Sequence, residues 1–427
     1  MDSGQHFEVP GGRVARGSVA APLSKSHAIR ALICASLADG VSTLRGLSRC
    51  GADDVRRAAG ALRRLGIPVQ DDEVEGFGGV VGGSVGGAGA VLDLGGSATA
   101  FRFLAAVAAL GTGPVTLTGD ASLLRRPMDA TVHSLRGLGA SVRAACLGDA
   151  MVPPLVVEGR QLLVEEVGVD ASTSSHPLSG LLLVGPVLPR GISVRPLGAV
   201  ASRPYVDLTL WAMAAFGVRV EDVGDAFRVR SGGYERGDVA IVGDWSSAAY
   251  LMAAAAVTPG GDVVVSGLEG GSPQADRRAG QMLRDFGARI ETTPDSVRVR
   301  HDQRRPLDVD LANAPDLAPL VGALGCVAEG GTRVRGAAHL RLKESDRIAA
   351  VVAAARALGC EARELADGFE IEGPAKHGGV VATKHDHRIA MAFAVAGLAV
   401  PGVVIDDPAC VAKSYPGFWD DLTKLTA

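Results

Sequence analysis

One hydrophobic pattern recurs six times along the chain. A polar turn leads into an Ala-rich apolar helix, and a Gly-marked turn then leads into a β-type run. A second helix follows and ends in a hydrophobe–glycine pair. The first helices are predicted to begin near Ser26, Ala98, Ser175, Trp245, Asp316 and His387. The second helices are predicted to end at Leu65-Gly66, Leu138-Gly139, Phe216-Gly217, Phe286-Gly287 and Leu358-Gly359, with the sixth copy shortened toward Trp419–Ala427. Those glycines lie 73, 78, 70 and 72 residues apart, a spacing that marks an internal repeat. Each glycine suits a left-handed helix C-cap, and β-type runs such as Ile67-Pro68-Val69 and Val218-Arg219-Val220 come next. Six mixed units of about 70 residues predict α/β modules whose helices bury against neighbouring copies. The Gly-rich stretch Gly76 to Gly96 reads as a hairpin joining the first two copies.

Composition narrows the class. With 47% hydrophobic and 21% charged residues, the 427-residue chain reads as soluble and globular. Met1 to Gly12 has no apolar core of the signal-peptide kind, and the longest apolar run, Ala248 to Val257, is half a bilayer span. A cytoplasmic protein with no membrane partner is expected. The six cysteines are far apart, without a CxxC pair, so neither a zinc site nor a disulfide framework is predicted. A net charge of −4 argues against nucleic acid as a partner, so any anionic ligand must be held by a local cluster. Only six of the 43 basic residues are lysine, and Lys25, Lys343 and Lys413 fall inside polar motifs. Lys differs from Arg in being a compact, deprotonatable point charge.

Polar groups gather where the first helices start. They are Ser24-Lys25-Ser26 with Arg30, Gly95 to Thr99 with Arg102, Ser174-Ser175-His176, Asp316, and Asp386-His387-Arg388. Two return loops add Lys343-Glu344-Ser345-Asp346-Arg347 and Lys413. The first of these packs two cations and two carboxylates ahead of an apolar helical pattern (Ile348, Val351, Val352, Ala355, Leu358). Helix N-termini present unpaired N–H groups and a positive dipole end, so added Lys and Arg make an anion site. Taken singly, each segment also reads as an ordinary polar cap with surface charges, such as a Ser-capped start at Ser345. Their recurrence in five of six copies favours one shared anionic ligand.

Along essentially its whole length the chain resembles the 5-enolpyruvylshikimate-3-phosphate synthase family. The resemblance is carried by Ser24 to Arg30, Arg126-Pro127-Met128, Ser202-Arg203-Pro204-Tyr205, Lys343 to Arg347 and Asp386 to Met391. It implies a two-lobed inside-out α/β barrel with six βαβαββ units. The implied lobes are residues 1–22 plus 241–427, and residues 23–240, joined by a hinge. The implied reaction moves the enolpyruvyl group of phosphoenolpyruvate onto the 5-hydroxyl of shikimate 3-phosphate and releases phosphate, with no cofactor or metal. A monomer is expected.

By the same resemblance, Ser26 and Arg30 hold the shikimate carboxylate beside Tyr205, while Ser174, Ser175 and Ser202 hold the 3-phosphate. Arg347 and Arg388 clamp the pyruvyl carboxylate, and Lys25, Arg126 and Lys413 neutralise the transferring phosphate. Asp316 and Lys343 act at the hydroxyl. Glu344, with Lys25 second, acts at the methylene carbon. Which carboxylate is acid and which is base stays open.

Gly96, Ala98, Thr99 and His176 line the implied phosphoenolpyruvate side, and three of them depart from the family pattern. Asn usually stands at Gly96, Gly at Ala98 and Gln at His176; Leu23 also replaces a usual Gly. The Ala98 methyl is expected to crowd that pocket and His176 to bring a titratable ring; with these departures, insensitivity to glyphosate, which occupies the pocket in the family, is expected. Two alternatives share the fold. One is a diverged paralogue that binds phosphoshikimate for a different elimination or transfer. The other is a UDP-N-acetylglucosamine enolpyruvyl transferase, whose usual loop cysteine has no counterpart in Gly111 to Met128.

Overall fold

The computed structural model describes residues 6–78, 89–159 and 162–427. The chain parts into two compact units, Leu23–Ile241 and the segment up to Pro22 with Val242–Ala427. Ile241 belongs with the first of these, not the second as the resemblance implied. Its backbone N–H bonds Arg45 O at 3.0 Å, and the strand before it, Asp238–Ala240, runs parallel to Asp39–Arg45.

Leu23–Ile241 contains the helices α1 (Lys25–Leu37), α2 (Asp53–Arg64), α3 (Ala98–Ala108), α4 (Asp129–Leu138), α5 (His176–Val184) and α6 (Pro204–Ala214). Among the described residues, three four-stranded sheets accompany them. One shows the pattern for all: Val91–Asp93 pairs parallel with Pro114–Thr118, which pairs antiparallel with Ala150–Glu158, itself antiparallel to Ser141–Leu147. With α3 and α4 in the two connections, that is one βαβαββ unit. The last strand, Asp238–Ala240, closes the sheet of the first repeat.

The other unit contains α7 (Trp245–Val257), α8 (Ala279–Phe286), α9 (Ala318–Gly325), α10 (Arg347–Ala357), α11 (His387–Ala399) and α12 (Phe418–Thr426). Its N-terminal segment supplies two strands. Arg16–Ala20 runs parallel to Asp262–Ser266, and Phe7–Glu8 runs antiparallel to Val404–Ile405.

Within each unit the first helix of every repeat lies inside. All thirteen residues of α7 are buried, as are twelve of thirteen in α11. A helix apolar all round must be enclosed on every side, and here α7, α9 and α11 pack on one another, as do α1, α3 and α5. Their alanines let backbones approach closely. The sheets then lie outside and bury one face only: in Ser296–Arg300, Val297 and Val299 point inward while Arg298 faces solvent. The five hydrophobe–glycine pairs end the second helices as expected, with Gly66, Gly139, Gly217, Gly287 and Gly359 all at φ between 79° and 115°. Residues 79–88 of the expected Gly76–Gly96 hairpin lie outside the described residues. Among the described residues no helix is long and apolar enough to cross a membrane.

Two helical glycines test this packing in opposite directions. A Cβ at Gly322 in α9 would lie 2.3 Å from Val351 Cγ1 and 3.4 Å from the Phe369 ring. Gly322→Ala is expected to destabilise by about 1–3 kcal/mol through overpacking. Gly60 in α2 has only the flexible tip of Arg63 nearby, at 3.8 Å. Gly60→Ala is expected to stabilise by roughly 0.5–1 kcal/mol. Urea unfolding of both variants checks the signs.

Candidate active site

The densest charge cluster lies in the unit holding α7 to α12, and Arg347 is its centre. Asp346 caps α10 by accepting Ala349 N–H at 3.0 Å, which makes Arg347 the first helical residue. Ser345 is therefore not the cap; its hydroxyl donates to Asp386 Oδ2 at 3.1 Å. The Arg347 side chain is 1% exposed and donates to three carboxylates. Nη1 reaches Asp316 Oδ1 at 2.8 Å, Nη2 reaches Glu344 Oε2 at 2.7 Å, and Nε reaches Asp386 Oδ2 at 2.8 Å.

Two of those carboxylates pass the connection on. Asp316 Oδ2 accepts from Arg388 Nη2 at 2.7 Å, and Glu344 Oε1 lies 3.6 Å from Lys413 Nζ. Asp386, 0% exposed, also caps α11 by accepting Arg388 N–H at 3.0 Å. Asp316, Glu344, Arg347, Arg388 and Lys413, which come from four stretches of the sequence, thus form one network.

Burial opposes the charges of Arg347 and Asp316, and their partners outweigh it. Burial alone would lower Arg347, yet Asp386, Glu344 and Asp316 raise it well above the usual guanidinium range. Burial would raise Asp316, yet Arg388, Arg347 and Lys343 hold it well below the usual carboxylate range. Asp316 is consequently an anion at all working pH. Lys343 stands at the end of the 3-10 turn Ala338–Leu342, within charge reach of Asp316. His339 in that turn is pushed down to about 4 by burial and then by Lys343, which keeps it neutral.

The unit holding α1 to α6 carries smaller arrangements. Ser24 Oγ caps α1 through His27 N–H at 3.4 Å. Lys25 Nζ bonds Asp54 Oδ2 at 2.9 Å, with both side chains largely buried. Arg30 is 0% exposed, and its donors meet neutral oxygens: Thr209 Oγ1 at 2.8 Å, Ser26 O at 2.8 Å and Tyr205 O at 3.1 Å. Ser26 and Tyr205 thus meet Arg30 through their carbonyls. Burial pulls Arg30 down to about 10, against weaker opposing contributions from Tyr205 and Cys34. The guanidinium stays charged, with its carbon 5.2 Å from the centre of the Phe103 ring.

Thr99 Oγ1 and His176 Nε2 lie 3.2 Å apart, and His176 also meets the Phe103 ring edge-on. Ser174 Oγ accepts His176 N–H at 3.3 Å. Gly96 and Ala98 are buried at the start of α3, beside Gly95 at φ +52°. Arg126 Nη2 donates to Ser122 Oγ at 3.4 Å. Ser175 is buried at the start of α5, and Ser202, also buried, takes a left-handed φ of +54°.

Sequence reasoning missed Asp54 and Thr209, and it gave Asp386 no role. Asp54 reads as an acidic residue in an amphipathic first turn, although its twin Asp53 is the one that faces Arg56 and Arg57. Asp386 directly precedes His387 and Arg388 and reads in sequence as an ordinary polar cap.

Comparison with known proteins places this geometry. A family model described as EPSP synthase (3-phosphoshikimate 1-carboxyvinyltransferase) matches residues 9–422. A 3-phosphoshikimate 1-carboxyvinyltransferase from Methanocorpusculum labreanum is 40% identical over 419 residues, covering 96% of each chain. One from Methanopyrus kandleri is 38% identical over 426 residues, covering 99% of this chain and 98% of its own. The solved EPSP synthase from Acinetobacter baumannii superposes with a TM-score of 0.79 at 27% identity, covering 99% and 98% of the two chains. The enolpyruvyl transferase NikO from Streptomyces tendae shares the fold, with a TM-score of 0.73 at 18% identity and coverage of 98% and 97%. Matched over nearly its full length in sequence, the chain belongs to the EPSP synthase (3-phosphoshikimate 1-carboxyvinyltransferase) family.

Proposed function

We propose that this protein transfers the enolpyruvyl group of phosphoenolpyruvate to the 5-hydroxyl of shikimate 3-phosphate, acting as a cytoplasmic monomer without a cofactor. The observation that carries the site assignment is the Arg347–Asp316–Arg388 network with Glu344 and Lys413 attached. Two substrates bearing a phosphate and a carboxylate each bring roughly six negative charges. Lys25, Arg30, Arg126, Lys343, Arg347, Arg388 and Lys413 are the cations matched to them.

The chemistry is an addition followed by an elimination. The hydroxyl oxygen attacks C2 of phosphoenolpyruvate and gives up its proton, while C3 gains a proton to become a methyl group. The tetrahedral intermediate then returns a methyl proton as the C2–O bond to phosphate breaks. In this reading Asp316 and Lys343 orient the hydroxyl and take its proton, and Glu344 serves C3, with Lys25 the second candidate there. Being held so far down, Asp316 is a weak base, so its larger contribution is orientation.

Arg388 receives the pyruvyl carboxylate, its plane fixed by the bond to Asp316. Arg347, with three protein carboxylates on it, sets that plane from behind and adds long-range charge. For the departing phosphate the candidates are Lys25 and Arg126, with Thr99, His176, Gly96 and Ala98, in one unit and Lys413 in the other. Ser26, Arg30 and Tyr205 serve the shikimate carboxylate and ring, and Ser174, Ser175 and Ser202 the 3-phosphate.

The direct test is phosphate release from both substrates together, with the organic product identified by mass. Release that requires both and gives an enolpyruvyl ether is expected. Release from shikimate 3-phosphate alone would contradict the reading. Arg388→Lys keeps the charge but loses the planar fork, so kcat/KM for phosphoenolpyruvate should fall about a hundredfold, with KM for shikimate 3-phosphate little changed. Glu344→Gln should lower kcat by roughly 10²–10⁴-fold, measured at saturating substrates.

Asp316 also gives a stability signature. Its folded pKa lies below the unfolded value of about 3.9. Its stabilisation is therefore fully present above the unfolded value, begins to be lost as pH falls below it, and goes on being lost down through the folded value. Unfolding free energies between pH 6 and 3 should fall more steeply for the wild type than for Asp316→Asn.

A further inference from the structure

Arg30 and Arg347 are both buried, at 0% and 1% exposure, and they are held in opposite ways. Arg347 donates to three carboxylates. Arg30 meets no carboxylate among the described residues; a hydroxyl and two carbonyls accept from it. A buried guanidinium without a counter-ion is costly. The fold carries that cost at Arg30 and supplies no anion to offset it.

One residue outside the chemistry above sets the orientation of this cation. Thr209 is 0% exposed on α6, and its Oγ1 accepts from Arg30 Nε at 2.8 Å. One turn earlier on α6, Tyr205 O accepts from Nη2 at 3.1 Å. Nε and Nη2 form one edge of the planar fork, so two oxygens of a single helix turn hold that whole edge. Nη1 donates to Ser26 O at 2.8 Å, in the helix that carries Arg30 itself. A guanidinium has five N–H donors. These three bonds leave one donor on each Nη for an anion.

The Thr209 hydroxyl is itself fixed. Its oxygen lies 3.0 Å from Tyr205 O and 3.0 Å from Ser179 Oγ on α5, a side chain that is also 0% exposed. Threonine inside a helix commonly bonds the carbonyl four residues back. With its proton engaged there or on Ser179, Thr209 presents only a lone pair to Arg30. A hydroxyl fixes a guanidinium without neutralising it. A carboxylate in the same place would take up the charge that an incoming anion needs.

We propose that Thr209 is a positioning residue for the acceptor substrate, fixing the plane of Arg30 through a neutral oxygen so that its charge and its remaining Nη donors are reserved for the carboxylate of shikimate 3-phosphate. This rests on the reading of Arg30 as the ligand of that carboxylate. The α5–α6 contact then serves binding as well as packing, because Ser179 and Tyr205 hold the oxygen that holds Arg30.

The test is kcat and the KM for each substrate in the wild type, Thr209→Val, Thr209→Ser, Arg30→Lys and the Thr209→Val/Arg30→Lys double variant. Val keeps the shape of Thr and lacks its hydroxyl. In Thr209→Val the KM for shikimate 3-phosphate should rise roughly tenfold or more, as for a lost hydrogen bond to a charged group. The kcat and the KM for phosphoenolpyruvate should change little. Thr209→Ser restores the hydroxyl without the methyl group and should bring the KM back toward the wild type. Arg30→Lys has no fork to orient, so adding Thr209→Val to it should raise the KM no further.

A merely structural role would weaken Thr209→Val and Thr209→Ser alike, for both substrates, and its effect would persist in the Arg30→Lys background. An unchanged KM for shikimate 3-phosphate in Thr209→Val, or a rise that persists with Arg30→Lys, overturns the proposal. If Thr209→Val does not fold, a KM raised tenfold in Thr209→Ser overturns it instead. Absence of turnover in the wild type, or a wild-type KM for shikimate 3-phosphate in Arg30→Lys, overturns the underlying reading and this proposal with it. Turnover with Arg30→Lys impaired and Thr209→Val unimpaired overturns this proposal alone.

Discussion

Everything in the charged cluster depends on burying one guanidinium. Arg347 at 1% exposure would be untenable alone, since the desolvation of a single buried ion amounts to several kcal/mol. Three carboxylates in the donor directions of the fork make it stable, and only Arg offers such a planar set. Each carboxylate then does a second thing. Asp386 caps α11, Asp316 fixes Arg388, and Glu344 approaches Lys413. The hub converts one buried charge into the orientation of two further cations.

The helices make this arrangement necessary as well as useful. α10 and α11 both begin with a basic residue in the first turn and have no acidic residue within it. That is the unfavourable sign for a helix N-terminus. Asp346 and Asp386 at the caps offset it locally, and Asp316 offsets it from a neighbouring element. Because α7, α9 and α11 pack on one another through small apolar residues, their starts are held in fixed relation. The polar positions at those starts therefore act together, though they lie some 70 residues apart in sequence.

Much of this was legible in the chain. The hydrophobe–glycine punctuation located the second helices because a left-handed cap needs glycine, and that requirement is local. Ala-rich apolar runs located the buried helices because no other environment suits a helix without a polar face. The cations at helix starts were legible for the same local reason. What stayed hidden was the pairing of carboxylates with them. Asp54 and Asp386 look like surface charges, since burial of an acid is decided by partners distant in sequence. Equally hidden were the protein partners of residues that the resemblance assigns to substrate: three donors of Arg347 meet protein carboxylates, and the Ser26 carbonyl meets Arg30. Ile241 goes with Leu23–Ile241 because its N–H completes a strand edge with Arg45, a pairing that periodicity does not encode.

The most direct test of the hub is a double-mutant cycle between Arg347 and Asp386, read by denaturant unfolding at pH 7. Arg347→Met leaves buried Asp386 without its guanidinium, and Asp386→Asn takes one of three carboxylates from Arg347; breaking a buried pair from one side costs about 3–5 kcal/mol, less where other partners remain. Removing both leaves that pair with no charge to compensate. A favourable coupling of roughly 2 kcal/mol or more is the result this account requires. Additive losses, with coupling near zero, would mean that Arg347 is not held by its carboxylates and that the site is organised by something else.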